Sequence, residues 1–239
     1  MDFTLKAYSD LVGSLVGRGY RVSGYAETVA AAPHLVLRHD VDFDLEAALG
    51  MAEVEHREGW RGIYFVLLRS EFYNPFSPHA RAALTRLGEL GHGIGLHFDA
   101  ALYNPDPSEL AAAAERECRI LEDLSAHPVA VFSLHRPAAQ LLDRDLEVPG
   151  RVNAYGARYF RDIGYCSDSR GAWHHGHPLD HPAVAQGRAL QLLTHPIWWS
   201  HDDLAGAQAK LEGFLARRRS LIDASLAANC TAYKRTLEP

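Results

Sequence analysis

A chain of 239 residues with 47% hydrophobic content can bury one sizeable core, and its net charge of −6 gives no general attraction to nucleic acid or anionic membrane. No apolar run approaches the length of a membrane span, and Met1-Asp2-Phe3-Thr4-Leu5-Lys6 lacks the regions of a secretory signal, so a cytoplasmic protein without membrane insertion is expected. Cys118, Cys166 and Cys230 are too few and too scattered for a disulfide framework or a cysteine metal knuckle.

Residues 3–19 place Leu5, Tyr8, Leu11, Val12, Leu15 and Val16 on one helical face. Leu35 to Asp42 reads as the first strand, and Leu45 to Glu58 as a helix stopped by Gly59. The unbroken apolar run Ile63 to Leu68 has the signature of a strand covered on both faces. His79 to Leu90 is helical and ends at Gly91; Gly93 to His97 is a short strand. After the turn-rich Asn104-Pro105-Asp106-Pro107, an alanine-rich helix runs from Ser108 to Leu124, Pro128 breaks it, and Val129 to Leu134 is a further strand. Asp143 to Gly150 reads as loop, Tyr155 to Ile163 as helical, and the histidine-rich run from Trp173 to Pro182 as irregular. Ala189 to Thr194 is the last strand, and residues 204–229 form a long terminal helix.

No linker, repeat or low-complexity tract divides the chain, so a single domain over residues 1–239 is expected, with both terminal helices packed on it. Strands alternating with helices predict an α/β fold on a mostly parallel sheet, doubly wound or closed as a barrel. In such folds sites lie at the C-terminal ends of the strands. Four of those ends carry polar chemistry: Asp40 and Asp42, His97 with Asp99, His135-Arg136, and His195. Period-two geometry sends Asp40 and Asp42 to one face, where two like charges call for a shared proton or a cation. Aspartate and histidine together suit Zn²⁺ or another divalent first-row metal. With no cysteine nearby, the set favours a catalytic centre with open coordination positions over a structural zinc site.

His39-Asp40-Val41-Asp42, then Gly91 to His97, then His135-Arg136-Pro137, then Leu192-Leu193-Thr194-His195 occur in the order of four motifs of a known family. Over roughly residues 35 to 200 the chain resembles the polysaccharide deacetylases, the nodulation-type chitooligosaccharide deacetylases of carbohydrate esterase family 4, as a divergent member. The resemblance implies a single-domain distorted (β/α) barrel and metal-dependent removal of an N-acetyl group from a carbohydrate or sugar precursor. It implies Asp40 as general base, Asp42 and His97 as metal ligands, Arg136 as the arginine that holds the base, and His195 as general acid. The segment from Tyr165 to Trp173 resembles a wall of the pocket, and Trp173 and Trp198 are the candidate sugar-contacting side chains; Ile197-Trp198-Trp199 fits core packing equally well.

The chain departs from the family at one ligand. The second metal histidine falls four residues after the first, which here is Ala101. Asp99 and His135 are the candidates to replace it, His135 being preferred because the arginine beside it already places that strand end at the site. His92 lies at the opposite end of its strand. An amidase acting on a non-sugar C–N bond and a carbohydrate-binding pseudoenzyme are the other functions compatible with this pattern.

Overall fold

Along the strand His34–Val41 (β2), Leu35, Leu37 and Val41 alternate with Val36, Arg38 and Asp40, and this alternation sorts the two faces of the sheet. The computed structural model describes residues 3–137, 139–142, 145–200 and 204–235. In chain order the helix α1 (Leu5–Gly17) leads to β1 (Arg21–Val22), β2, α2 (Leu45–Glu58), β3 (Ile63–Val66), α3 (Pro78–Glu89), β4 (Gly93–Phe98), α4 (Pro107–Ser125) and β5 (Val131–Leu134). The second half holds α5 (Ala139–Leu142), β6 (Val152–Asn153), α6 (Ala157–Phe160), β7 (Gly164–Ser167), α7 (Pro182–Ala185), β8 (Leu190–Thr194), α8 (Pro196–Trp199) and α9 (Gly206–Asn229). Short 3₁₀ turns occupy Ala100–Leu102, Ser169–Gly171 and Pro178–Asp180.

Local chemistry sets the helix ends. Asp44 accepts from the Glu46 N–H and Ser77 from the Ala80 N–H, while Asp106 accepts from both Ser108 and Glu109 N–H ahead of α4. Pro78 and Pro107 each occupy a first turn, where their missing N–H removes no helical bond. Gly59 closes α2 at φ 74°, the left-handed conformation in which a Cβ is unfavourable.

Every strand pairing is parallel, and the strands run β6-β5-β4-β3-β2-β8-β7, with β1 paired to the start of β2. The sheet curls into a half-barrel that is open between β6 and β7, a distorted (β/α) barrel. Side chains span the opening: the Gln191 amide on β8 donates to the carbonyls of Ala154 and Tyr159, just beyond β6. The outward faces of the strands pack against the helices in the main core, which includes Leu37, Tyr64, Leu96, Phe132 and Leu192. The inward faces enclose Val36, Phe65, Val131, Tyr25 and Tyr159. No helix among the described residues is long and apolar enough to cross a membrane.

Two expectations are corrected. Helix between Tyr155 and Ile163 is confined to Ala157–Phe160, because Asn153 turns the chain by accepting from the Tyr155 N–H and Ile163 turns inward to the barrel interior. The strand expected to Leu68 ends at Val66, where the Leu67 N–H is diverted to the Tyr73 hydroxyl. Trp198 and Trp199 close α8, which starts at Pro196, beyond the end of β8 at Thr194. Of the loop expected at Asp143 to Gly150, Asp143 and Arg144 lie outside the described residues.

Candidate metal centre and proton-transfer groups

Parallel pairing of β2 with β3 and β8, and of β4 with β3 and β5, brings four strand C-termini to one mouth of the half-barrel. Asp42, just past β2, His97 on β4 and His135, just past β5, converge there. Asp42 Oδ1 lies 3.2 Å from His97 Nε2 and 3.5 Å from His135 Nδ1, and the two ring nitrogens are 3.2 Å apart. A tetrahedral cation with N and O ligands at ~2.0–2.1 Å needs its ligand atoms about 3.3–3.4 Å from one another. The triangle matches that edge length. Asp42 Oδ1 is also buried without an aligned hydrogen-bond partner, an orphaned acceptor facing two imidazoles. His97 Nδ1 is 2.7 Å from Ser133 Oγ, which fixes the ring and leaves Nε2 turned to the cluster. One carboxylate and two imidazoles therefore fit a divalent first-row ion with coordination positions to spare.

The neighbouring carboxylate is held differently. Arg38, two residues before Asp40 on the same inward face, donates Nε to Oδ1 at 2.9 Å and Nη2 to Oδ2 at 2.8 Å. Both side chains are buried, and the guanidinium lies over the rings of Tyr155 and Phe65. Burial alone would raise the Asp40 pKa, but the Arg38 charge, with help from His97, holds it below the usual carboxylate range. For Asp42, too, burial opposes ionisation, and the imidazoles of His135 and His97 win, keeping the group well below its ordinary value.

Arg136 is not the clamp on Asp40. Its guanidinium is 80% exposed and reaches Asp99 at 3.4 Å, because Arg136 has already turned out of the strand at φ 44°. Asp99 accepts from the Ala101 N–H as well, so its two oxygens are engaged in capping and pairing outside the Asp42-His97-His135 cluster. Ala101 sits in the 3₁₀ turn after β4.

His195 follows β8 and turns Nε2 toward Asp42 Oδ2 at 3.8 Å. Its Nδ1 is bonded to Asp168 at 2.6 Å. Asp168, fully buried, also accepts from the His195 backbone N–H and from Trp199 Nε1 at 2.6 Å. Burial would lower the His195 pKa, but the Asp168 carboxylate, followed by Asp42 and Asp40, pushes it up to about 9. Sequence reasoning placed Asp168 in a wall segment and missed this pairing; it passed over Arg38 as well, although Arg38-x-Asp40 is the spacing that shares a strand face.

Trp198 is 6% exposed and packs beside Phe43, so it belongs to the core and offers no face to a sugar. Trp173 is half-buried against Phe3, Trp199 and His177. In the histidine-rich run, His177 and His181 accept from the N–H groups of Leu179 and Ala183 and cap the turns that follow. His92 lies at the other end of β4, bonded to the Ala52 carbonyl.

No family model and no curated protein matches the chain. Among solved structures it is similar to IcaB from Ammonifex degensii at 16% identity and a TM-score of 0.42, over 54% of this chain and 65% of that one. The chain thus spans just under two thirds of that protein's length. It is similar to a family 4 carbohydrate esterase from Bacillus anthracis at 15% identity and a TM-score of 0.43, over 94% of both chains. A Streptococcus mutans CE4 esterase gives 13% identity and a TM-score of 0.48, over 71% of this chain and 75% of that one.

Proposed function

We propose that the chain is a metal-dependent hydrolase of the polysaccharide-deacetylase kind, removing an N-acyl group, acetyl in the simplest case, from a carbohydrate or sugar precursor. The observation that carries the reading is the Asp42-His97-His135 triangle set between a clamped carboxylate, Asp40, and a carboxylate-backed histidine, His195. A divalent ion held by the triangle, with Zn²⁺ the best match and Co²⁺, Ni²⁺ or Fe²⁺ compatible, supplies Lewis-acid polarisation of the amide carbonyl and acidifies water.

The chain's own groups do the rest. Asp40, kept ionised by Arg38, takes the proton from the attacking water. His195 uses Nδ1–H on Asp168 and keeps Nε2–H for the departing nitrogen; a pKa raised to about 9 leaves it protonated at neutral pH. Protonation matters because an amine anion is a poor leaving group.

The test is release of carboxylic acid from a panel of N-acylated amino sugars by metal-loaded protein. Asp40→Asn and His195→Ala are each expected to lower the rate by about 10²–10⁴. A metal-loaded protein that binds sugar amides and hydrolyses none would overturn the hydrolase reading in favour of a binding role. Release only from non-sugar amides would keep the chemistry and change the substrate.

A further inference from the structure

We infer that a cavity behind His135 receives the acyl part of the substrate, and that the acyl group it takes is apolar and larger than acetyl. The cavity measures about 520 Å³, within the range of pockets that bury small-molecule ligands. His135 forms part of its wall while its Nδ1 faces Asp42 and His97, so cavity and metal triangle share a side chain. Tyr103, Leu110, Leu141 and Leu146 supply an apolar lining. Among the described residues the wall carries two charged side chains: Arg136, exposed and paired with Asp99, and Asp145, which accepts from the Ala157 N–H.

The direction of entry follows from the order of the strands, given the hydrolase reading on which the inference rests. His195 stands beyond β8 on one flank of Asp40 and Asp42, while His135 stands beyond β5 on the other. The leaving nitrogen must face His195, so the acyl carbon chain points to the opposite flank, toward His135 and the cavity. Ala101 lines that cavity, and its methyl leaves the space open.

The experiment is an acyl series, acetyl to octanoyl, on one amino sugar, run beside calorimetric binding of acetate, hexanoate and octanoate to the metal-loaded protein. The specificity constant is expected to rise about threefold to fourfold per methylene until the cavity is filled, as burial of each CH₂ dictates. Carboxylate affinity should climb in parallel. Ala101→Phe, which fills the cavity, and Pro105→Trp, at its exposed rim, should each cut the hexanoyl-over-acetyl preference by tenfold or more. A flat series, or a preference that neither variant alters, would overturn the assignment. Hydrolysis confined to acetyl would overturn it too, leaving the hydrolase reading intact. Chain-length-dependent carboxylate binding without any amide hydrolysis would support the cavity and overturn the hydrolase reading.

Discussion

A guanidinium with no solvent exposure is tolerated at position 38 because Asp40 meets it with both oxygens and two aromatic rings flank its plane. Burial disfavours the charge on Arg38, but Asp40 outweighs that and raises its pKa well above the ordinary value. Each charge is the other's compensation, so removing one strands the other. Arg38→Met is expected to destabilise the fold by about 3–5 kcal/mol, the cost of an uncompensated buried carboxylate. The same change removes the main force depressing the Asp40 pKa, so the acid limb of activity should move to higher pH. Arg136→Ala, at an exposed pair, should change stability by less than about 1 kcal/mol. Urea denaturation of the two variants side by side decides the matter: equal losses would sink the assignment of Arg38 as the clamp. The sequence contains the clue in plain view, because residues 38 and 40 share a strand face. What it lacks is any sign that the chain leaves the strand at Leu134 and swings Arg136 outward.

Behind the strand that carries Asp40, the outward face holds a second polar network that joins five elements. His39 on β2 bridges Thr194 on β8 at 2.7 Å and Glu55 on α2 at 2.8 Å, and Glu55 also accepts from the hydroxyls of Tyr8 on α1 and Tyr64 on β3. His39 adjoins Asp40 and Thr194 adjoins His195, so the network fixes Asp40 and His195 relative to each other from outside the barrel. Gly62 makes room for it: a Cβ there would stand 2.6 Å from both Glu55 Oε2 and His39 Nε2. Burial opposes ionisation of Glu55, yet His39 lowers its pKa below the ordinary 4.5. A folded-state pKa below the unfolded one contributes stability above the unfolded value, lost as pH falls through the folded one. Glu55→Gln is therefore expected to cost about 1–3 kcal/mol at pH 7, the range for a buried group deprived of its partners. The deficit should shrink as pH drops below about 4. Unfolding curves from pH 3 to pH 7 check this, and a pH-independent deficit would contradict an ionised Glu55. At this scale the long elements were legible, since α1, α2, α4 and β2 declare themselves by apolar period and caps. The two-residue strands β1 and β6 carry too few side chains to show a period, and the Glu55 network joins residues whose nearness only the packed helix layer creates.

Across the whole molecule, the candidate metal ligands come from three different strand ends, and none forms a local ligand motif with another. Asp42, His97 and His135 meet only when β2, β4 and β5 are laid side by side through β3, so the unfolded chain offers no comparable site. Metal binding is then linked to folding: an ion that binds the native state alone adds stability by mass action, about 2.7 kcal/mol at a free concentration a hundred times its Kd. The unfolding temperature should rise with added Zn²⁺ by several degrees, scaling with the logarithm of its concentration. His135→Ala should abolish most of that rise, since it removes one corner of the triangle. Asp99→Ala should retain it, because Asp99 caps the 3₁₀ turn and pairs with Arg136 outside the cluster. Calorimetric melting of wild type and both variants, with and without Zn²⁺, reads the outcome with no substrate present. If Asp99→Ala loses the response and His135→Ala keeps it, the triangle has been assigned the wrong third corner. An absent response in the wild type at millimolar Zn²⁺ would remove the metal from the proposed chemistry, and Asp40, His195 and their clamps would then need another source of electrophilic assistance.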